Sequence, residues 1–433
     1  MPFFMNHIKE IYDIFKKSSG VYTDSRNPLK NGLFIALSGN KHNGNDYAVE
    51  SLNKGAITAV VDNKGLASKS NKFIYVNNSL ETLQRLASFH RQKFKCPVLA
   101  ITGSNGKTTT KELLKIVLSK KFNVHATIGN LNNHIGVPMT ILNTPISSDF
   151  LIIEMGANHL NEIKNLCQIA KPTHGFITNF GLAHLEGFGG KEGVIKGKSE
   201  LYDFLDSSNG EIFVNHDNQN QINKLGNKKY ISFGQKEKAD FNLVYNLSNK
   251  NNLEISFKGY KFITNLYGEY NLPNISAAIV IGDFFNVPLK KIKEAIESFR
   301  SLDNRSQVIK IKNKKIILDA YNANPSSMEF AIKNFHRKFT NDKILIIGDM
   351  LELGEYSKTA HKQIVNLIID LSFDKVITVG KNFFDINITP NYFKKYHSTD
   401  ELIKFISLKG VKEKNILIKG SRSLRLEKIL TVL

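Results

Sequence analysis

The sequence predicts an α/β protein of three domains: a small α/β N-terminal domain over 1–96, a central parallel-sheet domain built around a phosphate loop (P-loop) over 97–309, and a C-terminal Rossmann-like α/β domain over 310–433. Three observations predict it. The chain of 433 residues is about three times the ~150 residues of an ordinary domain. Short apolar, β-rich runs alternate with helix-period stretches, the pattern of parallel strands covered by helices on both faces. One such strand ends in a glycine-containing loop that opens directly into an amphipathic helix.

After a short amphipathic helix at the start, the first domain alternates GLFIALSG (32–39), AITAVVD (56–62) and KFIYVNN (72–78), and closes on the helical SLETLQRLASFHRQKF (79–94). From Pro97 the strands VLAIT (98–102), FNVHAT (122–127), DFLIIEM (149–155), HGFITNF (174–180) and EIFVNH (211–216) are each followed by a helical pattern. Over 241–265 polarity alternates residue by residue, which predicts antiparallel hairpins inserted or appended at a sheet edge. A helix follows at about 273–285. The last series has strands at 315–320, 343–349, 375–380 and 414–420 and ends in a helix, LRLEKILTVL. No GxGxxG opens any of these strands, so a dinucleotide site has little support.

Lysine and arginine number 59 against 39 aspartates and glutamates, a net charge of +20. This favours anionic partners such as nucleic acid, acidic lipid or phosphorylated substrates. Compositional bias without functional meaning explains it equally well. The two cysteines, Cys96 and Cys167, form no CxxC pair and no zinc spacing, which excludes a disulfide framework and fits a reducing cytoplasm. The first residues lack a signal-type apolar run and no stretch approaches the ~18 apolar residues of a span, so a cytoplasmic chain without membrane insertion is expected.

The strongest chemical signal is VLAITGSNGKTTTKELLKIVLSKK (98–121). Backbone N–H groups of the loop and helix start can cradle phosphates, Lys107 can reach the β- and γ-phosphates of ATP, and the Thr108 hydroxyl can ligate Mg²⁺. The loop departs from G-x-x-x-x-G-K-[ST], because position 101 is isoleucine and the glycines are Gly103 and Gly106. Glu154 ends the next strand, where a Mg²⁺ ligand belongs, although a lone acid there is more often a cap or surface charge. The glycine-rich GLAHLEGFGG places His184 at the same sheet edge; a loop histidine is by itself more often merely solvated. On the helix 191–205, Val194, Ile195, Lys198, Leu201, Tyr202 and Leu205 share one face at about 100° per residue, so Lys198 points into an apolar stripe. Either its stem snorkels to a partner, or it is a neutral amine able to take up CO₂ as a metal-binding carbamate.

With these motifs in place, the chain resembles the Mur ligase family, ATP-dependent amide-bond-forming enzymes of peptidoglycan precursor synthesis, over essentially its whole length. The resemblance rests on TDSR (23–26), FIALSGNKHNGNDY (34–47), TGSNGKTTT (102–110), GNLNNHIGVP (129–138), EMGANHLNEI (154–163), NFGLAHLEGFGG (179–190), YNLPNISAA (270–278), DAYNANPSSM (319–328) and GDMLELGE (348–355). The last two, with no DNPR motif, make it most similar to the branch that adds D-alanyl-D-alanine. In place of the Asp-Gly-His common among relatives the chain has Asn43, Gly44 and Asn45.

The resemblance implies that Gly103, Ser104, Asn105, Gly106, Lys107, Thr108 and Thr109 hold the ATP phosphates, that Asn271 and Asn274 lie by the adenine, and that Arg305 and Asp319 engage the nucleotide from the domain junction. Thr108 and Glu154 would bind one Mg²⁺, and His184 with a carbamylated Lys198 a second, leaving Lys107, His184 and Lys198 as the catalytic set. Ser25 and Arg26 would hold the uridine diphosphate end, and Asn130, Asn132 and Asn133 would touch substrate. The implied reaction activates the terminal carboxylate of UDP-N-acetylmuramoyl-tripeptide as an acyl phosphate, which D-alanyl-D-alanine attacks, giving the UDP-linked pentapeptide. A monomer with no nucleic-acid partner is implied. Two alternatives stay open: a Mur-type ligase with another acceptor, such as the third-residue-adding one, and a basic P-loop NTPase switch that binds nucleic acid. Against the latter stand the absence of NKxD, of an aromatic-rich RNA-binding stretch and of a run of five or six basic residues.

Overall fold

A computed structural model describes residues 2–39, 42–247, 252–301 and 304–433. Residues 40–41 of FIALSGNKHNGNDY and 248–251 of the alternating segment lie outside the described residues. The first sheet contains β1 (Val21–Tyr22), β2 (Leu33–Ile35), β3 (Thr58–Val61) and β4 (Phe73–Tyr75), all parallel and in chain order. The helix Ser79–Arg91 leaves it toward the centre of the molecule, with Asn78 Oδ1 accepting from Glu81 N at its start.

The central sheet has seven strands: β5 (Val98–Thr102), β6 (Val124–Ala126), β7 (Phe150–Glu154), β8 (His174–Ile177), β9 (Glu211–Asn215), β10 (Ile231–Gly234) and β11 (Phe241–Asn242). Their order is β11-β10-β9-β8-β5-β7-β6, and every pair is parallel. Leu99 and Ile101 pack on the face carrying the helices Lys107–Leu118 and Leu272–Phe284, while Val98 and Ala100 pack on the face carrying Lys191–Ser207. Burial on both faces is the physical reason for the unbroken apolar run at 98–101. The chain passes from β5 to one side of it and then, with β8, to the other. This is a topological switch point, and it opens a crevice at the carboxyl ends of β5, β7 and β8.

The alternating segment departs from the expected edge hairpin. Only β11 joins the parallel sheet, and β12 (Val244–Leu247), β13 (Leu253–Phe257) and β14 (Tyr260–Ile263) form a separate antiparallel sheet. Its buried Leu253, Ile255, Phe257 and Phe262 share a core with the apolar helix Leu272–Phe284, which makes this sheet a cover for that helix layer.

The C-terminal sheet, the fourth, holds β15 (Gln307–Ile311), β16 (Lys314–Asp319), β17 (Lys343–Gly348), β18 (Val376–Val379), β19 (Phe393–Tyr396) and β20 (Asn415–Lys419), ordered β15-β16-β20-β17-β18-β19. Only the β15–β16 pair is antiparallel. The expected closing α-helix is instead a pair of 3₁₀ turns, Arg422–Leu424 and Leu426–Val432, broken by Arg425 at φ +53°. Leu426, Ile429 and Leu433 reach the core from there, a three- to four-residue spacing that a 3₁₀ turn satisfies.

Candidate active site

The crevice is a cavity of about 1290 Å³ lined by segments that follow the first, central and C-terminal sheets and the β12–β14 sheet. Ser104, Asn105, Gly106, Lys107, Thr108 and Thr109 line it from the phosphate loop; Asn130, Asn132, Asn133, Glu154, His184, Asn271, Asn274, Arg305 and Asp319 line it too. Gly103, Lys198, Ser25 and Arg26 do not.

The loop's shape follows from its glycines. Gly103 sits at φ +138° with Thr178 Oγ1 only 2.0 Å from where a Cβ would stand, and Gly106 at φ +82° with Asn274 Oδ1 at 2.7 Å. Gly106 is the N-cap of the helix Lys107–Leu118 and offers no side chain, so the first N–H groups of that helix face the cavity uncapped. Such an end favours an anion. Asn179 braces the loop from β8: its Oδ1 accepts from Asn105 N at 3.1 Å, its Nδ2 donates to Asn105 O at 3.0 Å, and its carbonyl accepts from Ser104 N at 3.0 Å. Sequence reasoning did not single out Asn179; its signal was its place near the carboxyl end of HGFITNF, at the same sheet edge. The Lys107 ammonium donates to Gly103 O at 2.7 Å. Burial lowers its pKa, the Glu154 carboxylate opposes this, and Arg305 reinforces it.

Glu154 is 1% exposed. Its Oε1 accepts from Asn132 Nδ2 at 2.8 Å and its Oε2 has no hydrogen-bond partner, although the buried Lys111 ammonium lies 3.8 Å away. Asn132, expected at the substrate, therefore orients Glu154, and Asn133 caps the turn into the helix Gly136–Leu142 by accepting from Gly136 N at 2.8 Å. Lys198 is fully buried and its Nζ has no hydrogen-bond partner. It lies 5.2 Å from the Phe188 ring centre. Burial, helped by the charge of Lys107 and opposed by Glu162, pushes its pKa well below the ordinary lysine value. The snorkelling alternative is not what the helix does.

His184, at φ +54°, has its Nδ1 in direct contact with the carboxylate of Glu352, which comes from the C-terminal sheet's side of the cleft. That contact, outweighing the opposing effect of burial, holds the Glu352 carboxyl below its usual range. Among the described residues no three His, Cys, Asp or Glu side chains converge as a metal cage. The oxygen donors are instead dispersed, Glu154 Oε2 without a partner and the Thr108 hydroxyl, while the buried Lys198 amine would offer an oxygen only as a carbamate. That set fits Mg²⁺, which keeps waters and phosphate oxygens in its shell, better than it fits a protein-built site.

Across the cleft, Asn324 Nδ2 donates to Asn105 Oδ1 at 2.7 Å and Leu182 N donates to Ser326 Oγ at 3.0 Å, so the DAYNANPSSM stretch touches the phosphate loop. Asn274 Nδ2 donates to Asn271 Oδ1 at 3.1 Å beside Gly106. The Arg305 guanidinium stacks 3.6 Å from the Tyr321 ring centre, and Arg422 stands 4.8 Å from the same ring. Asp319 is bound by Lys419 Nζ at 2.7 Å and accepts from Ser306 N at 3.1 Å. Tyr321 and Lys419 line the cavity and were not singled out in the sequence. Arg26 clasps Asp24 through Nε at 2.9 Å and Nη2 at 2.8 Å on an exposed turn beside the first sheet, apart from the cavity. From that side it is the helix Ser79–Arg91 that lines the cleft, through Glu81, Gln84, Arg85 and Ser88.

The cavity wall carries Arg85, Lys107, Arg305 and Lys419 against Glu81, Glu154, Glu162, Glu269 and Asp319, so the +20 charge is not concentrated there. No helix among the described residues is long and apolar enough to cross a membrane.

Residues 101–282 match the Mur ligase middle domain, and residues 304–422 match the Mur ligase, glutamate ligase domain. A UDP-N-acetylmuramoyl-tripeptide--D-alanyl-D-alanine ligase of Rickettsia prowazekii is 33% identical over 94% of this chain and 94% of its own. The crystal structure of MurF from Acinetobacter baumannii superposes with a TM-score of 0.85 at 26% identity, covering 96% of this chain and 97% of that one. MurF from Thermotoga maritima, in complex with ADP, also gives 0.85 at 26% identity, covering 97% of each chain.

Proposed function

The chain belongs to the Mur ligase family, and from that premise we propose that it is the ATP-dependent ligase that joins D-alanyl-D-alanine to UDP-N-acetylmuramoyl-tripeptide in peptidoglycan precursor synthesis, acting as a cytoplasmic monomer. The observation that carries this reading is the single cavity in which the phosphate loop, the YNLPN segment and the DAYNANPSSM stretch face one another, with Asn324 bonded to Asn105.

The three units divide the work. The first binds the uridine nucleotide, with Ser25 and Arg26 at its site; the central one binds ATP; the third delivers the amine. A carboxylate is a poor acyl donor, so the γ-phosphoryl of ATP first passes to the tripeptide carboxylate and ADP leaves. The amine then attacks the acyl carbon of the acyl phosphate, and phosphate leaves. The loop N–H groups from Gly103 to Thr109 and the Lys107 ammonium stabilise the charge on the transferring phosphoryl group, where fixed donors contribute most. Asn271 and Asn274 flank the adenine, and Arg305 and Asp319 hold the nucleotide from the junction. Thr108 and Glu154 would hold one Mg²⁺, and His184 with Lys198 as its carbamate a second; when bound, the ions neutralise phosphate charge. Asn130, on the cavity wall, would touch substrate. Docking of the third unit shields the acyl phosphate from water.

The test is ADP release with UDP-linked tripeptides carrying diaminopimelate or lysine, with and without D-alanyl-D-alanine. Release that requires both the tripeptide and the dipeptide is expected. Turnover with a single amino acid as acceptor on a UDP-linked dipeptide, or ATPase activity stimulated by polynucleotide alone, would overturn the reading.

A further inference from the structure

The loop after β17 is held unusually firmly for a surface connection. The Asp349 carboxylate accepts from Asn382 N and Phe383 N, both at 2.9 Å, and Ser421 Oγ donates to Asp349 O at 2.7 Å. Met350 N donates to His361 Nε2 at 3.1 Å, and His361 Nδ1 donates to Ser357 O at 2.7 Å. Leu351 N donates to Ser421 Oγ at 3.2 Å. Asp349, Met350, Leu353, His361 and Ser421 are all buried. On this frame Glu352 stands at φ +61°, a conformation a glutamate rarely adopts, with its side chain more than half exposed and directed across the cleft to His184.

The surfaces around that contact approach closely. A Cβ on Gly354 would lie 3.0 Å from Glu186 Cβ, and one on Gly190 would lie 3.2 Å from Tyr356 Oη. Nothing in the buried frame needs the Glu352 carboxylate, since the bonds that hold the loop are made by Asp349, Ser421 and His361. What the carboxylate does is contact His184 Nδ1, a buried nitrogen for which no hydrogen-bond partner is found elsewhere. A neutral imidazole that donates from Nδ1 carries its lone pair on Nε2, and a carboxylate partner fixes both tautomer and ring orientation.

We propose that Glu352 is a positioning residue for His184, supplied by the third unit only when it docks, so that docking sets the tautomer and direction of a histidine in the ATP centre. This inference rests on the ATP-centre reading of the cavity. Docking of the amine-delivering unit is thereby coupled to the readiness of the phosphoryl-transfer site, and the strained backbone at Glu352 is the device that carries the carboxylate across. Other bonds across the junction, Asn324–Asn105 and Ser326–Leu182, join the two units without touching His184.

The test uses the full chain labelled with ¹⁵N-histidine, with ADP present and the His184 signals assigned by their loss in His184→Gln. In the unmodified protein the His184 signals should report protonation at Nδ1. Glu352→Ala should lose that tautomer preference and reduce kcat by about 10- to 100-fold, with KM for ATP changed less than threefold and thermal stability unchanged. Glu352→Gln, whose amide oxygen still accepts from Nδ1, should keep the tautomer and recover most of the rate. An unchanged His184 tautomer in Glu352→Ala overturns the proposal whatever the acceptor substrate proves to be. A Glu352→Gln variant as impaired as Glu352→Ala in both tautomer and rate also overturns it.

Discussion

The Lys111 ammonium lies 3.8 Å from Glu154 Oε2 and donates to Gly129 O at 3.0 Å, with no part of its side chain exposed. Glu112 Oε1, at 3.0 Å, is its third neighbour. Lys111 thus ties the phosphate-loop helix to the candidate metal ligand and to the asparagine-rich loop in one contact. Lys111→Met keeps the volume and removes the charge, leaving Glu154 buried with only Asn132 as side-chain partner. Breaking a buried pair this way costs about 3–5 kcal/mol, and urea denaturation should show it. The double variant Lys111→Met with Glu154→Gln should recover part of the loss. A single-variant loss below about 1 kcal/mol would show that the pair is not load-sharing.

Lys198→Met separates chemistry from structure. The wild-type amine is buried without a partner, so a thioether of similar length should leave stability equal or higher. Turnover should nevertheless fall by roughly 100-fold or more, the scale of losing one oriented charge-stabilising group. Protein equilibrated with ¹³C-bicarbonate should show a carbamate carbon signal that the variant lacks. Full turnover in Lys198→Met would sink the carbamate role.

Gly106→Ala should impair nucleotide binding specifically. The backbone there is at φ +82° and the new methyl would meet Asn274 Oδ1 at 2.7 Å. The left-handed conformation alone costs about 1–2 kcal/mol with a side chain, so ADP affinity measured by calorimetry should weaken by roughly 10-fold or more. Unchanged affinity would place the nucleotide away from this loop.

His174, stacked on Phe213, edge-on to Phe284 and tilted to Phe285, has its pKa lowered by burial from 6.5 to about 4. Between those values the unfolded chain binds a proton that the folded one does not, so this group's contribution to stability rises with pH from about 4 to 6.5 and is lost on acidification through that window. Urea midpoints taken across it should fall toward pH 4 in the wild type and fall less steeply in His174→Phe. An identical slope in both would refute the assignment.

Features whose physics is local could be read along the chain. The glycines of the phosphate loop, the strand before it and the helix after it lie within one short segment, and its pattern is dictated by backbone conformation and burial. The inward direction of Lys198 follows from helical periodicity alone. Those signals also carried the family resemblance, and with it the three-domain α/β architecture. The antiparallel pairing after β11 was legible from its alternation, but its separation from the parallel sheet and the closing 3₁₀ turns were not, because alternation and apolar spacing say which face is buried but not which neighbour buries it.

Tertiary structure decided the partners. Asn324 and Asn105 are 219 residues apart and meet only because the third unit docks on the central one. Glu352 reaches His184, Lys111 reaches Glu154, Lys419 occupies Asp319, and Arg26 stays with Asp24 away from the cleft. The +20 charge was plain in the composition, yet the cleft wall carries slightly more acids than bases. Residue types and local periods are properties of the chain, whereas which charges and hydrogen-bonding groups come within reach of each other is set by how separate elements pack. For this protein, strand order and domain docking determine that, and neither is written in any single segment.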